Sequence, residues 1–247
     1  LRSLLFQYKS RRLKIGAFSA ASNVTGVLTD VDEVSVVLHQ ANAFAVFDYA
    51  TAAPYVRMDM NPVRVNNPGL AYKDAILFSG HKFIGGPGSP GVLVAKKSLL
   101  LPQDEAPTRP GGGTVFFVSE GRHRYLSNRE EREEAGTPAV LGDIRLGMIM
   151  HIKSSVGAAH VHDAELRLES YARQRLQEHP SIVLLGRLPA IDATEGDSNG
   201  SGCGSSSENA HHLPIFSFLI RCDQRFLHYN FVCALLNDMF GVQARGG

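Results

Sequence analysis

Cysteine is scarce: Cys203, Cys222 and Cys233 are the only three in 247 residues, and no two of them form a CxxC pair. That argues against a zinc ribbon or a disulfide framework and suits free thiols in a reducing compartment, the cytoplasm or an organelle such as the mitochondrion. Long hydrophobic runs are missing too. Stretches such as "IVLL" at 182–185 and "LGMIM" at 146–150 fall far below the roughly 20 residues of a membrane span. Nor does one charge dominate. With 25 Lys and Arg against 24 Asp and Glu, scattered along the chain, there is no electrostatic footprint for nucleic acid. The ten histidines do not suggest a metal: His160 and His162, two apart in a helix-like stretch, face different sides. No internal repeat is evident. A chain that opens on Leu1 without a signal-peptide pattern and stops at "GVQARGG" is expected to be an internal piece of a longer protein, any targeting segment preceding Leu1.

What is present is an α/β pattern. Residues 15–47 alternate between an apolar run "IGAFSA", a polar turn "SNVTG", a helical stretch over 30–41 and a second run "AFAVF". Asp30 followed by Glu33 resembles a helix start, and Val31, Val34, Val37 and Leu38 recur at helical spacing. The runs "AFAVF", "AILF" and "GVLV" are short and continuous, as expected of parallel strands covered on both faces. In such sheets ligands bind beyond the carboxyl ends of the strands, where three polar clusters fall: 22–26, 48–51 and 79–82. From Val140 the period becomes helical, with Leu141, Ile144, Leu146, Met148 and Ile152 in one helix and a second over 164–178 ended by Pro180. Residues 192–208, rich in Ser and Gly, form a predicted flexible surface insertion. A strand "LPIFSFLI" and a helix over 225–240 follow, as in a second, smaller α/β lobe.

Chemistry concentrates in "ILFSGHKFIGGPGSPGVLV" at 76–94. A lysine such as Lys82, at a strand end and partly removed from water, has a depressed amine pKa and can condense with an aldehyde. The bland alternative is a hairpin loop punctuated by Gly and Pro, with Lys82 pointing outward. Asp48, ending "AFAVF", would be costly to bury without a cation or strong donor, and a protonated cofactor ring nitrogen would be one; a turn or cap role is the alternative. Ser79 and His81 beside glycine amides can surround an anion, whereas Asn23, Thr25 and Thr51 offer neutral hydrogen bonds or act as turn residues.

In order along the chain, the turn "SAASNVTG", the aspartate of "FDYA", "SGHK" with its trailing glycines, "PGGGTV" at 110–115, "EEAGTP" at 133–138 and the closing "GVQARGG" make the sequence similar to the class V aminotransferases, the group that includes cysteine desulfurases and selenocysteine lyases. The resemblance covers essentially the whole chain. It implies the aspartate aminotransferase-like fold (pyridoxal-phosphate fold type I). Residues 1–140 would be part of the large mixed-sheet cofactor domain, 141–180 a helical connector and 181–247 part of the small C-terminal domain. The implied cofactor is pyridoxal 5'-phosphate, with Lys82 as its Schiff-base lysine, Asp48 facing the ring nitrogen, and Ser79 and His81 on the phosphate. Asn23 would lie near the phenolic oxygen and the substrate, and Thr51 would contribute a further cofactor contact. Thr137 would reach the phosphate of a neighbouring subunit, which implies a homodimer with shared sites, and Arg245 would meet the carboxylate of a small amino-acid substrate. Protonated ring and freed Lys82 would then activate the substrate α-carbon.

Sulfur abstraction giving alanine, with a possible acceptor protein for the sulfur, is the expected outcome; transamination, another lyase reaction, or a non-catalytic binding module are the alternatives. Departures from the family pattern bear on that choice. Thr51 stands where desulfurases usually carry Gln, and Asp48 and Lys82 lie 34 apart (82 − 48), with "NPVRVNNPG" as the inferred insertion. None of the three cysteines matches the reactive position, which would fall just past Gly247, and the segment supplying a residue over the ring would precede Leu1. The fragment alone is expected to bind cofactor poorly.

Overall fold

After a short helix α1 (Arg2–Gln7), the predicted alternation folds as strand β1 (Ile15–Ser19), helix α2 (Val31–Gln40) and strand β2 (Phe44–Asp48). The computed structural model describes residues 1–99, 105–186 and 212–247; the predicted insertion at 192–208, with Cys203, lies outside them. The chain divides into two compact units, one of Leu1–Ala20 with Asp30–Ala158 and another of Ala21–Thr29 with Ala159–Gly247.

In the first unit β1, β2, β3 (Ala75–Ser79) and β4 (Gly91–Ala95) form one sheet in that order. The first three strands are parallel, with Ser19 opposite Asp48 and Asp48 opposite Leu77. β4 departs from expectation: it runs antiparallel to β3, Phe78 facing Val92. Parallel pairing needs a crossover of about a dozen residues or more, and 80–90 is too short a connection. As the edge strand β4 is also covered less than a doubly buried strand, Leu93 being 60% exposed.

One face of the sheet is covered by α2. Asp30 caps this helix by accepting from the Glu33 N–H at 3.0 Å, and Ser35, Val36, Val37 and Leu38 are buried. A Cβ at Gly16 would come within 2.5 Å of Leu38, so the close seating of α2 on β1 depends on that glycine. In β2 and β3, Ala45, Phe47, Ile76 and Phe78 are buried, and full burial of Phe47 alone stabilises by about 2–3 kcal/mol.

A buried polar pair fastens the sheet from below. Asp74, just ahead of β3, accepts from the Ala45 N–H at 2.7 Å and faces His39 Nε2 at 2.9 Å, while His39 Nδ1 faces the Leu70 carbonyl at 2.7 Å. The long β2–β3 connection is tied to the start of α2. Arg64 donates to both carboxylate oxygens of Asp30 at 2.7 and 3.0 Å, and buried Lys73 pairs with Asp32.

Asp30 therefore serves two partners. Burial would raise its carboxyl pKa, but the Glu33 N–H and Arg64 outweigh that and hold it below 3.8. Asp30→Ala is expected to cost about 1–2 kcal/mol, measurable by urea unfolding. The unfolded carboxyl binds its proton more readily than the folded one. This contribution is thus fully present above pH 3.8 and is lost as pH falls through the depressed folded value. A deficit that persists undiminished well below that range would refute the assignment.

Beyond the sheet come an unanticipated hairpin, β5 (Val115–Val118) with β6 (His123–Tyr125), then α3 (Arg129–Glu133) and α4 (Val140–Val156). In the second unit, α5 (Ala158–Gln177) starts earlier than 164, directly after Gly157 at φ 83° ends α4. Strands β7 (Ile182–Leu185), β8 (Ser217–Cys222) and β9 (Arg225–Phe226) make an antiparallel sheet. The expected helix over 225–240 is shorter for that reason: Arg225 pairs with Cys222, and α6 (Tyr229–Phe240) begins only after His228, whose ring caps the Asn230 N–H. Glu169 and Arg173 form a buried i,i+4 pair on α5, with the Arg173 guanidinium 5.9 Å from the Phe216 ring centre.

Candidate active site

Parallel pairing puts the carboxyl ends of β1, β2 and β3 along one edge of the sheet. Asp48 is the last residue of β2, and Ser79 the last of β3, two residues beyond the one opposite Asp48. A backbone bond from the Tyr49 N–H to the Leu77 carbonyl, 2.8 Å, keeps the two strand ends together.

Asp48 is exposed at this edge, and its Oδ1 accepts from the Ala50 N–H at 2.7 Å. The turn it organises carries half-buried Thr51 and closes with Ala53 N–H on the Tyr49 carbonyl at 2.7 Å. The turn role and an accessible outer edge coexist in one carboxylate. The neighbouring Tyr49 is buried, and burial, then Asp32 and Asp59, push its phenol up to about 12.

After β3 the chain makes a single 3-10 turn, Gly80–Lys82. Ser79 precedes it, half-buried, without spending its hydroxyl on capping the turn. His81 and Lys82 are both exposed, so the expected partial withdrawal of Lys82 from water is not what the fold provides. The turn ends at the strand edge, where the lysine projects into solvent while Phe83 anchors the loop below, 5% exposed and 5.8 Å from the Phe78 ring. The glycines keep the loop tight. A Cβ at Gly86 would lie 2.1 Å from the Gly80 carbonyl oxygen, and one at Gly80 would lie 2.5 Å from Ser89 Oγ.

Helix α4 supports this loop from Gly142, Leu146 and Ile149. A Cβ on Gly142 would come 2.9 Å from the Gly88 carbonyl, Leu146 approaches Gly80, and Ile149 approaches Gly85. Thr137 is exposed in the segment leading into α4, where the Gly136 N–H donates to the Gly112 carbonyl at 2.8 Å and so ties "GTP" to the "GGG" stretch.

Asn23 and Arg245 belong to the second unit; Asn23 and Arg245 are both exposed there. Asn23 sits in a turn held by Ser22, whose Oγ accepts from the Val24 and Thr25 N–H groups at 3.2 and 3.1 Å; the Ser22 carbonyl also accepts from Gly26. Arg245 lies in the irregular segment after α6. Asp48, Thr51, Ser79, His81 and Lys82 thus share one sheet edge, and Asn23 and Arg245 do not belong to that unit.

Sequence reasoning misses Lys153. Half-buried at the end of α4, it donates to the Val56 carbonyl at 2.7 Å and to the Ala53 carbonyl, and burial lowers its amine pKa. Its spacing from Leu146 and Ile149, seven and four residues, marks it as a lysine on a buried helix face (153 − 146; 153 − 149). Among the described residues no three His, Cys, Asp or Glu side chains gather as a metal-ligand set, and no helix is long and apolar enough to cross a membrane.

The sequence pattern of the aminotransferase class-V family matches residues 3–195. A cysteine desulfurase of Cronobacter sakazakii is 30% identical over 219 residues, which are 84% of this chain and 51% of that protein. One from Shigella sonnei is 31% identical over 226 residues, 87% of this chain and 52% of that one. The chain spans about half the length of the curated relatives it matches. Among solved structures, an Escherichia coli cysteine desulfurase superposes with a TM-score of 0.73 at 24% identity, covering 99% of this chain and 51% of the other. A cystine C–S lyase solved with its product cysteine persulfide gives 0.65 at 16% identity, covering 95% and 55%. At these identities the superpositions speak for the fold, an α/β fold shared with pyridoxal-phosphate enzymes over about half their length.

Proposed function

The chain belongs to the aminotransferase class-V family, and from that premise we propose that it is part of a pyridoxal-phosphate enzyme that takes sulfur from cysteine and leaves alanine. The carrying observation is the shared sheet edge that holds an acid at Asp48 and an amine at Lys82. The residues present fit the cofactor: an accessible carboxylate suits a protonated ring nitrogen, an accessible primary amine suits an aldehyde, and Ser79 with His81 beside glycine amides suits a phosphate. When bound, the group supplies an electron sink for the bonds at a substrate α-carbon.

The chain's own residues divide the remaining work. Lys82 would hold the cofactor through its amine and move a proton at the substrate α-carbon; Asp48 would face the ring nitrogen and favour its protonated form. Thr51 and Asn23 offer hydrogen bonds to the cofactor, Asn23 also to the substrate. Arg245 offers a fork to the substrate carboxylate, and Thr137 serves the phosphate of a second subunit in a homodimer. On this reading residues 1–140 contribute to the cofactor domain of an aspartate aminotransferase-like fold, 141–180 connect, and 181–247 contribute to the small domain; an acceptor protein would take the sulfur.

Cysteine as substrate is supported by the relatives, several of which are cysteine desulfurases at 30–31% identity. The full-length protein, supplied with cysteine, pyridoxal phosphate and a thiol reductant, is expected to release sulfide and alanine in equal amounts. Formation of a keto acid from cysteine without sulfide would replace the desulfurase reading with transamination, and no product at all with bound cofactor would favour a binding module.

A further inference from the structure

Helix α4 does more than support the glycine loop. Its row of contacts to 80–90, from Gly142 through Leu146 to Ile149, continues one turn further to Lys153, and an Arg145 bond to the Pro87 carbonyl runs alongside. Lys153 is the member of the row that also touches the other half of the site. Its Nζ donates to the Ala53 and Val56 carbonyls, at the far end of the turn that starts at Asp48 and carries Thr51; the N–H groups of the same two residues close that turn on the Tyr49 and Ala52 carbonyls. The same Nζ lies 5.6 Å from the centre of the Phe83 ring, and Phe83 directly follows Lys82.

We infer that Lys153 is a positioning residue that fixes the Asp48 turn against the Lys82 turn, by clamping two carbonyls of the first while resting its charge on the aromatic anchor of the second. This rests on the reading of Asp48 and Lys82 as cofactor residues.

The two carbonyls are 53 and 56 in sequence, at the open end of a short turn, so donors there act as a cation does at a helix end. The amine is half withdrawn from water, which strengthens both bonds and the cation–π contact, and burial lowers its pKa accordingly. Among the described residues no carboxylate ion-pairs with Lys153, so an alternative salt-bridge role is missing. A lysine kept for packing alone would be replaceable by methionine, which matches its stem.

The test compares Lys153→Met and Lys153→Arg with wild type, all as full-length protein. In the cofactor-free state, amide hydrogen exchange over 50–56 and 82–86 is expected to speed up together by about tenfold in Lys153→Met and to return toward wild type in Lys153→Arg. Pyridoxal phosphate affinity, followed by its visible absorbance, is expected to drop about tenfold in Lys153→Met at an unchanged melting temperature, and to recover in Lys153→Arg. Exchange that rises in one segment alone, or in neither, overturns the inference, as does a methionine variant with wild-type affinity. If wild type binds no pyridoxal phosphate, the functional proposal fails, and the exchange data still decide whether Lys153 couples the two turns.

Discussion

Full-length Lys82→Ala is expected to emerge colourless from loading with pyridoxal phosphate and washing, with no adduct that borohydride can fix, while wild type is yellow and becomes labelled at Lys82. Only a primary amine at this strand end condenses with the aldehyde, so Lys82→Arg, which keeps the charge, is not expected to rescue. Turnover should fall on the order of a thousandfold or more, since attachment and proton transfer are lost together. Because the side chain is exposed, stability should change by less than about 0.5 kcal/mol, which separates a lost reaction from a lost fold. A colourless wild type, or an adduct that survives in Lys82→Ala, would end the assignment.

The second large effect is expected far from the solvent. Asp74→Ala removes a carboxylate whose side chain is 4% exposed and leaves both the Ala45 N–H and His39 Nε2 without their acceptor. Breaking such a buried pair from one side costs about 3–5 kcal/mol. Against total stabilities of about 5–15 kcal/mol this is a large fraction, and it falls where β2, β3 and α2 meet, so cofactor binding should fail at the temperature at which the variant unfolds. Urea unfolding of the full-length protein measures it. Asp74→Asn, which keeps one acceptor for the Ala45 N–H, should lose less, and an Asp74→Ala deficit below about 1 kcal/mol would show that water replaces the carboxylate.

Helix α2 is legible in the sequence because its cap, Asp30, and its buried stripe are both local signals, and the structure starts the helix directly after that cap and ends it at Gln40. Strands β2 and β3 are legible as continuous apolar runs between polar turns. The direction of β4 is not, because an apolar run carries no sign of which way it travels; the length of 80–90 is the usable clue. The β5–β6 hairpin hides because Phe116 and Phe117 are both exposed, so no alternation marks a buried face, and only the Ser119 to Arg122 turn signals it.

At the site, Asp48, Ser79 and Lys82 can be gathered on one edge from strand order alone, since parallel strands share their carboxyl ends. The exposure of Lys82 cannot, because accessibility follows from which elements surround a turn. Lys153 is out of reach for a related reason: its partners are carbonyls about a hundred residues away, and a backbone oxygen leaves no trace in composition. The roles proposed for Thr137 and Arg245 come from family likeness alone, and that for Asn23 from family likeness beside a side chain that is equally at home in a turn.

The antiparallel turn between β3 and β4 also bears on the order in which the chain organises itself. Joining β1 to β2 or β2 to β3 requires a long segment to be closed before any bond is gained, whereas β3 and β4 are separated by 80–90 alone. Hairpins of this kind form within roughly 1–10 μs, well ahead of non-local pairing. The lysine-bearing loop is therefore the part of the site with the least entropy to lose, a local seed onto which the strand ending in Asp48 must later dock. A complete chain refolding from denaturant would shape the amine's surroundings first and bring the acid to them afterwards.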